Sequence, residues 1–96
     1  STHMIVDCSH DNSGKNHEKQ PAVLDDVASQ IANGSRQIAG VMIESNIVGG
    51  RQSLNADRSK MTYGQSVTDA CVDFATTERM LDRLAHAVRV ARRDAA

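Results

Sequence analysis

The chain has 96 residues and a formal net charge of −1, which gives no electrostatic case for binding nucleic acid or an anionic membrane. Its hydrophobic fraction is 40%, yet only 2% of the residues are aromatic, so any core is made mostly of aliphatic side chains. No apolar run approaches the roughly 20 residues of a membrane-spanning helix, and no signal-peptide pattern opens the chain. We therefore expect one cytoplasmic domain, residues 1–96, in which Cys8 and Cys71 are free thiols.

The first half of the chain predicts a strand, a helix and a second strand. Residues 4–8 are apolar on both faces, as in a parallel strand that is covered on both sides. Pro21 suits the first turn of a helix, whose apolar residues recur at three- and four-residue spacing until Asn33-Gly34 predicts its end. Residues 38–44 predict a second buried strand, parallel to the first and reached by a right-handed crossover.

The second half predicts a long loop and a final helix. Residues 45–68 are irregular, and loops of this length are usually functional or disordered. Within this loop, residues 49–52 are interpreted as a plain loop tip rather than as a phosphate site. The final helix is predicted from Thr76, as its N-cap, to Arg93, with His86 beside the buried stripe. That stripe consists of Met80, Leu81, Leu84, Ala87, Val88 and Ala91.

This order of elements is typical of an α/β protein. Two parallel strands with two helices leave sheet edges unpaired and apolar faces uncovered. The pattern therefore resembles about a quarter of an eightfold β/α barrel, a fold that typically needs ~250 residues.

Three potential metal ligands follow short apolar runs. His10 lies two residues beyond the first predicted strand, Glu44 ends the second, and Asp69 closes the long loop. Because the active site of a β/α barrel lies at the C-terminal ends of its strands, we expect these side chains to share one mouth. Histidine and carboxylates are ligands of catalytic divalent metals. Taken alone, the pattern also allows a hydrogen-bonded loop histidine, and carboxylates that cap helices or form salt bridges.

Several segments resemble, in order and spacing, the signature segments of one enzyme family. The segments are Asp7-Cys8-Ser9-His10, Asn12-Ser13-Gly14-Lys15, Gly40-Val41-Met42-Ile43-Glu44-Ser45, Tyr63-Gly64, Ser66-Val67-Thr68-Asp69-Ala70-Cys71 and Leu84-Ala85-His86-Ala87-Val88-Arg89. The family is the class I 3-deoxy-D-arabino-heptulosonate 7-phosphate (DAHP) synthases, also called phospho-2-dehydro-3-deoxyheptonate aldolases. The resemblance covers essentially the whole chain. It implies the C-terminal two β/α units of a TIM (β/α)8 barrel.

The resemblance also implies a reaction and a cofactor. The parent enzyme would condense phosphoenolpyruvate with erythrose 4-phosphate, the first step of the shikimate pathway in aromatic amino acid biosynthesis. The family holds a divalent metal ion (Mn, Fe, Co or Zn) with a cysteine, a histidine, a glutamate and an aspartate. His10, Glu44 and Asp69 match the last three ligands, and His10 and Asp69 are the predicted catalytic residues. Asn12 and Lys15 are predicted to bind substrate.

The chain departs from the family pattern in one respect. The cysteine ligand, and most of the basic residues that hold the substrate phosphates, belong to the family's upstream part. Neither Cys8 nor Cys71 occupies the ligand position, so core packing is their favoured role. We therefore expect the 96 residues alone to be inactive, and to associate as a homo-oligomer or with a complementary barrel segment. A non-catalytic associating fragment and part of a related octulosonate-phosphate synthase are the alternatives.

Overall fold

A computed structural model describes residues 3–95, which form two strands and two α-helices. The strands are β1 (Met4–Asp7) and β2 (Ile38–Met42), and the helices are α1 (Gln20–Ala32) and α2 (Phe74–Ala95). Three short 3-10 helices lie in the connections, at His10–Ser13, His17–Lys19 and Arg58–Lys60. The α/β class and the order of the elements confirm the sequence-based prediction. Ser1, Thr2 and Ala96 of the predicted domain lie outside the described residues.

The two strands are parallel neighbours, with Ile5 opposite Gly40 and Asp7 opposite Met42. Successive side chains of a strand point to opposite faces of the sheet. Val41 accordingly packs against the core beneath the helices, whereas Ile5 and Met42 are 70% and 37% exposed. One face of the sheet is therefore covered by this chain and the other is left open.

The core lies between the covered sheet face and the two helices, which pack against each other. Its buried cluster consists of Cys8, Leu24, Val72 and Met80, surrounded by partly buried Val23, Val41, Ile43 and Leu84. Cys8 and Cys71 are both buried and free, as the sequence predicted. Among residues 3–95, neither helix has both the length and the apolar content needed to cross a bilayer.

Both strands end earlier than the sequence predicted. The Cys8 N–H still donates to the Met42 carbonyl at 2.9 Å, but regular pairing stops there. Two residues further along, the backbone of Glu44 bonds the side chain of Gln20 and the N–H of Val72 instead of β1. Glu44 therefore lies beyond the end of β2 and not within it.

The prediction for the last helix was wrong at its start and in one core residue. α2 begins at Phe74, and Asp73 rather than Thr76 acts as the cap, because its Oδ1 accepts the Thr76 N–H at 2.8 Å. Leu81 is 51% exposed, and His86 is also exposed. The reason is that α2 has one packed face, which carries Met80, and Leu81 lies about 100° further round the helix.

Candidate metal centre

His10 begins the short 3-10 helix three residues after the last residue of β1, and Asp7 contacts the residues that lead into it. Asp7 Oδ1 accepts the Ser9 N–H at 2.8 Å, while Asp7 Oδ2 lies 2.7 Å from His10 Nδ1. An aspartate that bonds the backbone two residues ahead is a common way to start a tight turn. The φ angle of His10 is +48°, an unusual backbone conformation that these contacts hold in place. The imidazole is therefore fixed at the end of the sheet.

The contact between Asp7 and His10 also shifts the pKa of both groups. The hydrogen bond and the negative charge of Asp7, together with the charge of Glu44, raise the pKa of His10. Burial acts to raise the pKa of Asp7, but the hydrogen bonds from His10 and Ser9 outweigh it and the net pKa is lowered. A neutral imidazole that donates from Nδ1 to this carboxylate keeps the lone pair of Nε2 free for a cation.

Glu44 is held by its backbone as well as by its side chain. Gln20 Nε2 donates to the Glu44 carbonyl at 3.0 Å, and Gln20 Oε1 accepts the Glu44 N–H at 2.9 Å. The Val72 N–H donates to the same carbonyl at 3.0 Å. The Ser9 hydroxyl donates to Glu44 Oε1, and the side chain of Glu44 is only 19% exposed.

Asp69 lies on the last part of the long loop, which folds back through short pairings. Cys71 exchanges two backbone hydrogen bonds with Gly50, at 2.8 and 3.1 Å, and Ser45 forms a parallel bridge with Val72. Arg51 Nε donates to the Thr68 carbonyl at 2.9 Å. These contacts bring Asp69, whose side chain is 67% exposed, to the same end of the sheet as His10.

The three predicted ligands converge in the structure. His10 Nε2 lies 3.6 Å from Glu44 Oε1 and 3.5 Å from Asp69 Oδ2. One ligand atom from each residue lies within 4.8 Å of the other two. Atoms that bind one metal ion at about 2.1 Å lie roughly 3–4 Å apart, and the two distances from His10 Nε2 fall in this range. Imidazole nitrogens and carboxylate oxygens are both ligands that iron, manganese, cobalt and zinc accept in proteins.

The trio faces an open cavity of about 570 Å³. Three further residues with basic side chains line it, namely Lys15, His17 and Arg51. A pocket that combines potential metal ligands with basic groups can hold a negatively charged ligand against the metal.

The other predicted site residues are placed differently. Lys15 lines the cavity, whereas Asn12 does not, because its Nδ2 donates to the Asp7 carbonyl at 2.7 Å. Cys8 and Cys71 lie outside the ligand trio, and burial raises the pKa of both thiols. A protonated, buried thiol suits packing, as the sequence predicted.

Sequence reasoning missed Asp7, Gln20 and Arg51. Asp7 precedes His10 by three residues, the spacing at which a turn brings side chains together, and that signal was available. Arg51 was assigned to a plain loop tip, although it follows two glycines that let a backbone turn tightly. Gln20 carries no local signal, because its partner Glu44 is 24 residues away.

Comparison with known proteins matches this chain to one family. Residues 1–82 match the model of the DAHP synthetase I family. The Haemophilus influenzae phospho-2-dehydro-3-deoxyheptonate aldolase is 54% identical over 93 residues, which are 97% of this chain and 25% of that protein. The tyrosine-inhibited Candida albicans aldolase of the same name is 50% identical over 95 residues, 96% of this chain and 26% of that protein.

A solved structure agrees with these sequence matches. The phospho-2-dehydro-3-deoxyheptonate aldolase of Francisella tularensis superposes with a TM-score of 0.86 at 54% identity. The match covers 93% of this chain and 25% of that one. The chain thus spans about a quarter of the length of the relatives it matches. Because the family model matches residues 1–82 and the relatives are about half identical over nearly the whole chain, the chain belongs to the DAHP synthetase I family.

Proposed function

We propose that this chain forms the C-terminal portion of a metal-dependent DAHP synthase. Its substrates are phosphoenolpyruvate and erythrose 4-phosphate, whose condensation is the first step of the shikimate pathway. The observation that carries the proposal is the convergence of His10, Glu44 and Asp69 within 4.8 Å at one end of the sheet. Family membership supports the choice of reaction.

In this proposal, His10 Nε2, Glu44 and Asp69 hold a divalent metal ion. When bound, the metal polarises the aldehyde oxygen of the sugar phosphate and orients a water molecule. Asp7 holds the imidazole of His10 through Nδ1, which leaves Nε2 directed at the site. His10 also borders the space for phosphoenolpyruvate, where it can take up or release a proton.

The basic residues of the cavity bind the anionic substrates. Lys15 and Arg51 line the cavity together with the ligand trio, and both are suited to phosphate or carboxylate oxygens. Asn12 contributes to the substrate site indirectly. Its amide donates to the Asp7 carbonyl and so holds the turn that carries His10.

The two strands and two helices act as the last two β/α units of a TIM barrel. The open face of the sheet, with Ile5 70% exposed, supports this because a barrel interior would cover it. The 96 residues are then one partial domain, inactive alone, that requires the complementary barrel segment. Free thiols at Cys8 and Cys71 suit a reducing compartment, so we place the enzyme in the cytoplasm.

A chimaera tests the proposed function. This chain is joined to the upstream three quarters of the Haemophilus influenzae relative, and product formation is measured with a series of divalent metals. We expect activity that Glu44→Ala abolishes, together with loss of bound metal measured by elemental analysis. Glu78→Ala, the same change at an exposed carboxylate of α2, should leave both unchanged. Retention of metal and activity by Glu44→Ala would refute the site.

The same chimaera separates the reaction from its alternative. A DAHP synthase uses erythrose 4-phosphate, whereas an octulosonate-phosphate synthase uses arabinose 5-phosphate. Turnover of arabinose 5-phosphate alone would contradict the proposed substrate.

A non-catalytic associating fragment is the second candidate. The exposed apolar residues of the open sheet face, Ile5 and Met42, favour it. Light scattering on the 96-residue chain tests it, and a folded monomer at low concentration would count against it.

A further inference from the structure

Gln20 has a fully buried side chain at the first position of α1. A buried amide is costly unless its donor and its acceptor both find partners. In Gln20 both are used by one residue, because Nε2 donates to the Glu44 carbonyl and Oε1 accepts the Glu44 N–H. The side chain thus bonds Glu44 as a neighbouring strand would.

This contact lies beyond the point where β2 is hydrogen-bonded to β1. Regular pairing of β2 with β1 ends at Met42, two residues before Glu44. The Glu44 carbonyl has a second donor in Val72, but its N–H is bonded to Gln20. The direction of the Glu44 side chain depends on the orientation of its backbone, which the Gln20 amide holds together with the Val72 N–H, and on the Ser9 hydroxyl that contacts its carboxylate.

We infer that Gln20 is a positioning residue of the metal centre, whose amide holds the Glu44 backbone so that the carboxylate faces His10 and Asp69. The inference rests on the proposed function, because it assumes that Glu44 binds a metal. It adds a residue on α1 that contacts neither the metal nor the substrate. A second-layer contact of this kind typically changes metal affinity by roughly 10- to 100-fold.

The chain offers a matched control in Gln52. Its side chain makes the same two-point contact with Thr62, with Nε2 donating to the carbonyl at 2.7 Å and Oε1 accepting the N–H at 2.9 Å. That contact braces the long loop rather than a predicted ligand. Leu24 is a second control, since it is fully buried one turn further along α1 and contacts the core instead of Glu44.

The test measures Mn²⁺ binding by water-proton relaxation in the chimaera of this chain with the upstream three quarters of the Haemophilus influenzae relative. Gln20→Met keeps the length of the side chain and removes both hydrogen bonds, so the Mn²⁺ dissociation constant should rise roughly 10- to 100-fold. Gln52→Met and Leu24→Ala should change it less than about 3-fold. In a Glu44→Gln background, Gln20→Met should have no further effect, whereas a general loss of structure would weaken binding in both backgrounds.

A second measurement does not depend on metal. Gln20→Asn keeps an amide that is too short to reach both backbone atoms, and hydrogen exchange of the Glu44 N–H should become faster in it. If Glu44→Gln weakens Mn²⁺ binding and Gln20→Met and Gln20→Asn do not, this inference is wrong and the proposed site stands. If Glu44→Gln leaves Mn²⁺ binding unchanged, the proposed site is wrong, and the positioning role of Gln20 with it.

Discussion

Asp7 Oδ2 and His10 Nδ1 lie 2.7 Å apart, and the two residues are three positions apart in the chain. This contact decides which ring nitrogen of His10 is available, because Nε2 is then the atom that lies near Glu44 and Asp69. Histidines that bind metals usually donate their other N–H to a carboxylate or a carbonyl. The turn after β1 therefore holds His10 in the orientation that the proposed metal site requires, through contacts within the chain itself.

Replacing Asp7 should weaken metal binding without removing a ligand. Asp7→Asn preserves the size of the side chain but removes its charge, so it no longer orients the imidazole as strongly or raises the pKa of His10. We expect the Mn²⁺ dissociation constant of the chimaera to rise roughly 10-fold or more. Asp11→Asn, at an exposed carboxylate of the same turn, is the control. Equal effects of the two changes would show that Asp7 acts only through net charge.

The convergence of the three candidate ligands could be predicted in part because each of them follows an apolar run. Strands of a parallel sheet end at a common edge, so polar residues just beyond them are brought together. The family resemblance then selected His10, Glu44 and Asp69 from the other polar residues. The contact between Gln20 and Glu44 could not be predicted, because a buried amide 24 residues from its partner leaves no periodic pattern.

The helix errors have a different physical cause. Asp73 and Thr76 are both good capping residues, and only the backbone path shows which of them precedes the first turn. The spacing of Leu81 fits the apolar stripe of the sequence. A helix that packs against one neighbouring helix buries only part of such a stripe, and Leu81 lies outside the buried part.

The cap of α2 should contribute to stability in a pH-dependent way. Hydrogen bonds from the side chain and the backbone N–H of Thr76 lower the pKa of Asp73 below 3.8. The ionised carboxylate therefore stabilises the helix fully above its unfolded pKa, and this contribution is lost as the pH falls through the folded pKa. Asp73→Ala should lower the Tm by roughly 5 °C at pH 7.

Circular dichroism across a pH series measures this effect. The difference in Tm between the original chain and Asp73→Ala should be constant from pH 7 to about 5 and shrink below about pH 4. Asp82→Ala, an exposed change within α2, should lower the Tm much less. A difference that grows on acidification would contradict the role of Asp73 as the cap.

Leu24 and Leu81 should respond differently to the same substitution, because only Leu24 is buried. Leu24 is fully buried between the sheet and α2, so Leu24→Ala should lower the free energy of unfolding by about 3 kcal/mol. Leu81 is 51% exposed, and Leu81→Ala should cost less than about 1 kcal/mol. Urea unfolding of the 96-residue chain measures both. Equal losses would mean that another molecule covers Leu81 under the conditions of the measurement.

Position 64 requires glycine for two reasons, namely its left-handed backbone conformation and the close approach of Ile47. Its φ angle is +79°, and a Cβ atom built there would lie 2.8 Å from the Cβ of Ile47. Gly64→Ala should therefore lower the free energy of unfolding by about 3 kcal/mol, from left-handed strain and overpacking together. Gly14 has a similar φ of +63° with nothing within 4 Å of the added atom, so Gly14→Ala should cost only about 1 kcal/mol.

A double substitution separates the two causes at Gly64. Ile47→Gly removes the atom that the new methyl group would meet, and it leaves the φ angle of residue 64 unchanged. Combined with Gly64→Ala, it should recover the overpacking part of the loss but not the part due to strain, which a double-mutant cycle in urea measures. Strict additivity of the two changes would show that the loop moves away from Ile47 and that only the left-handed backbone requires glycine here.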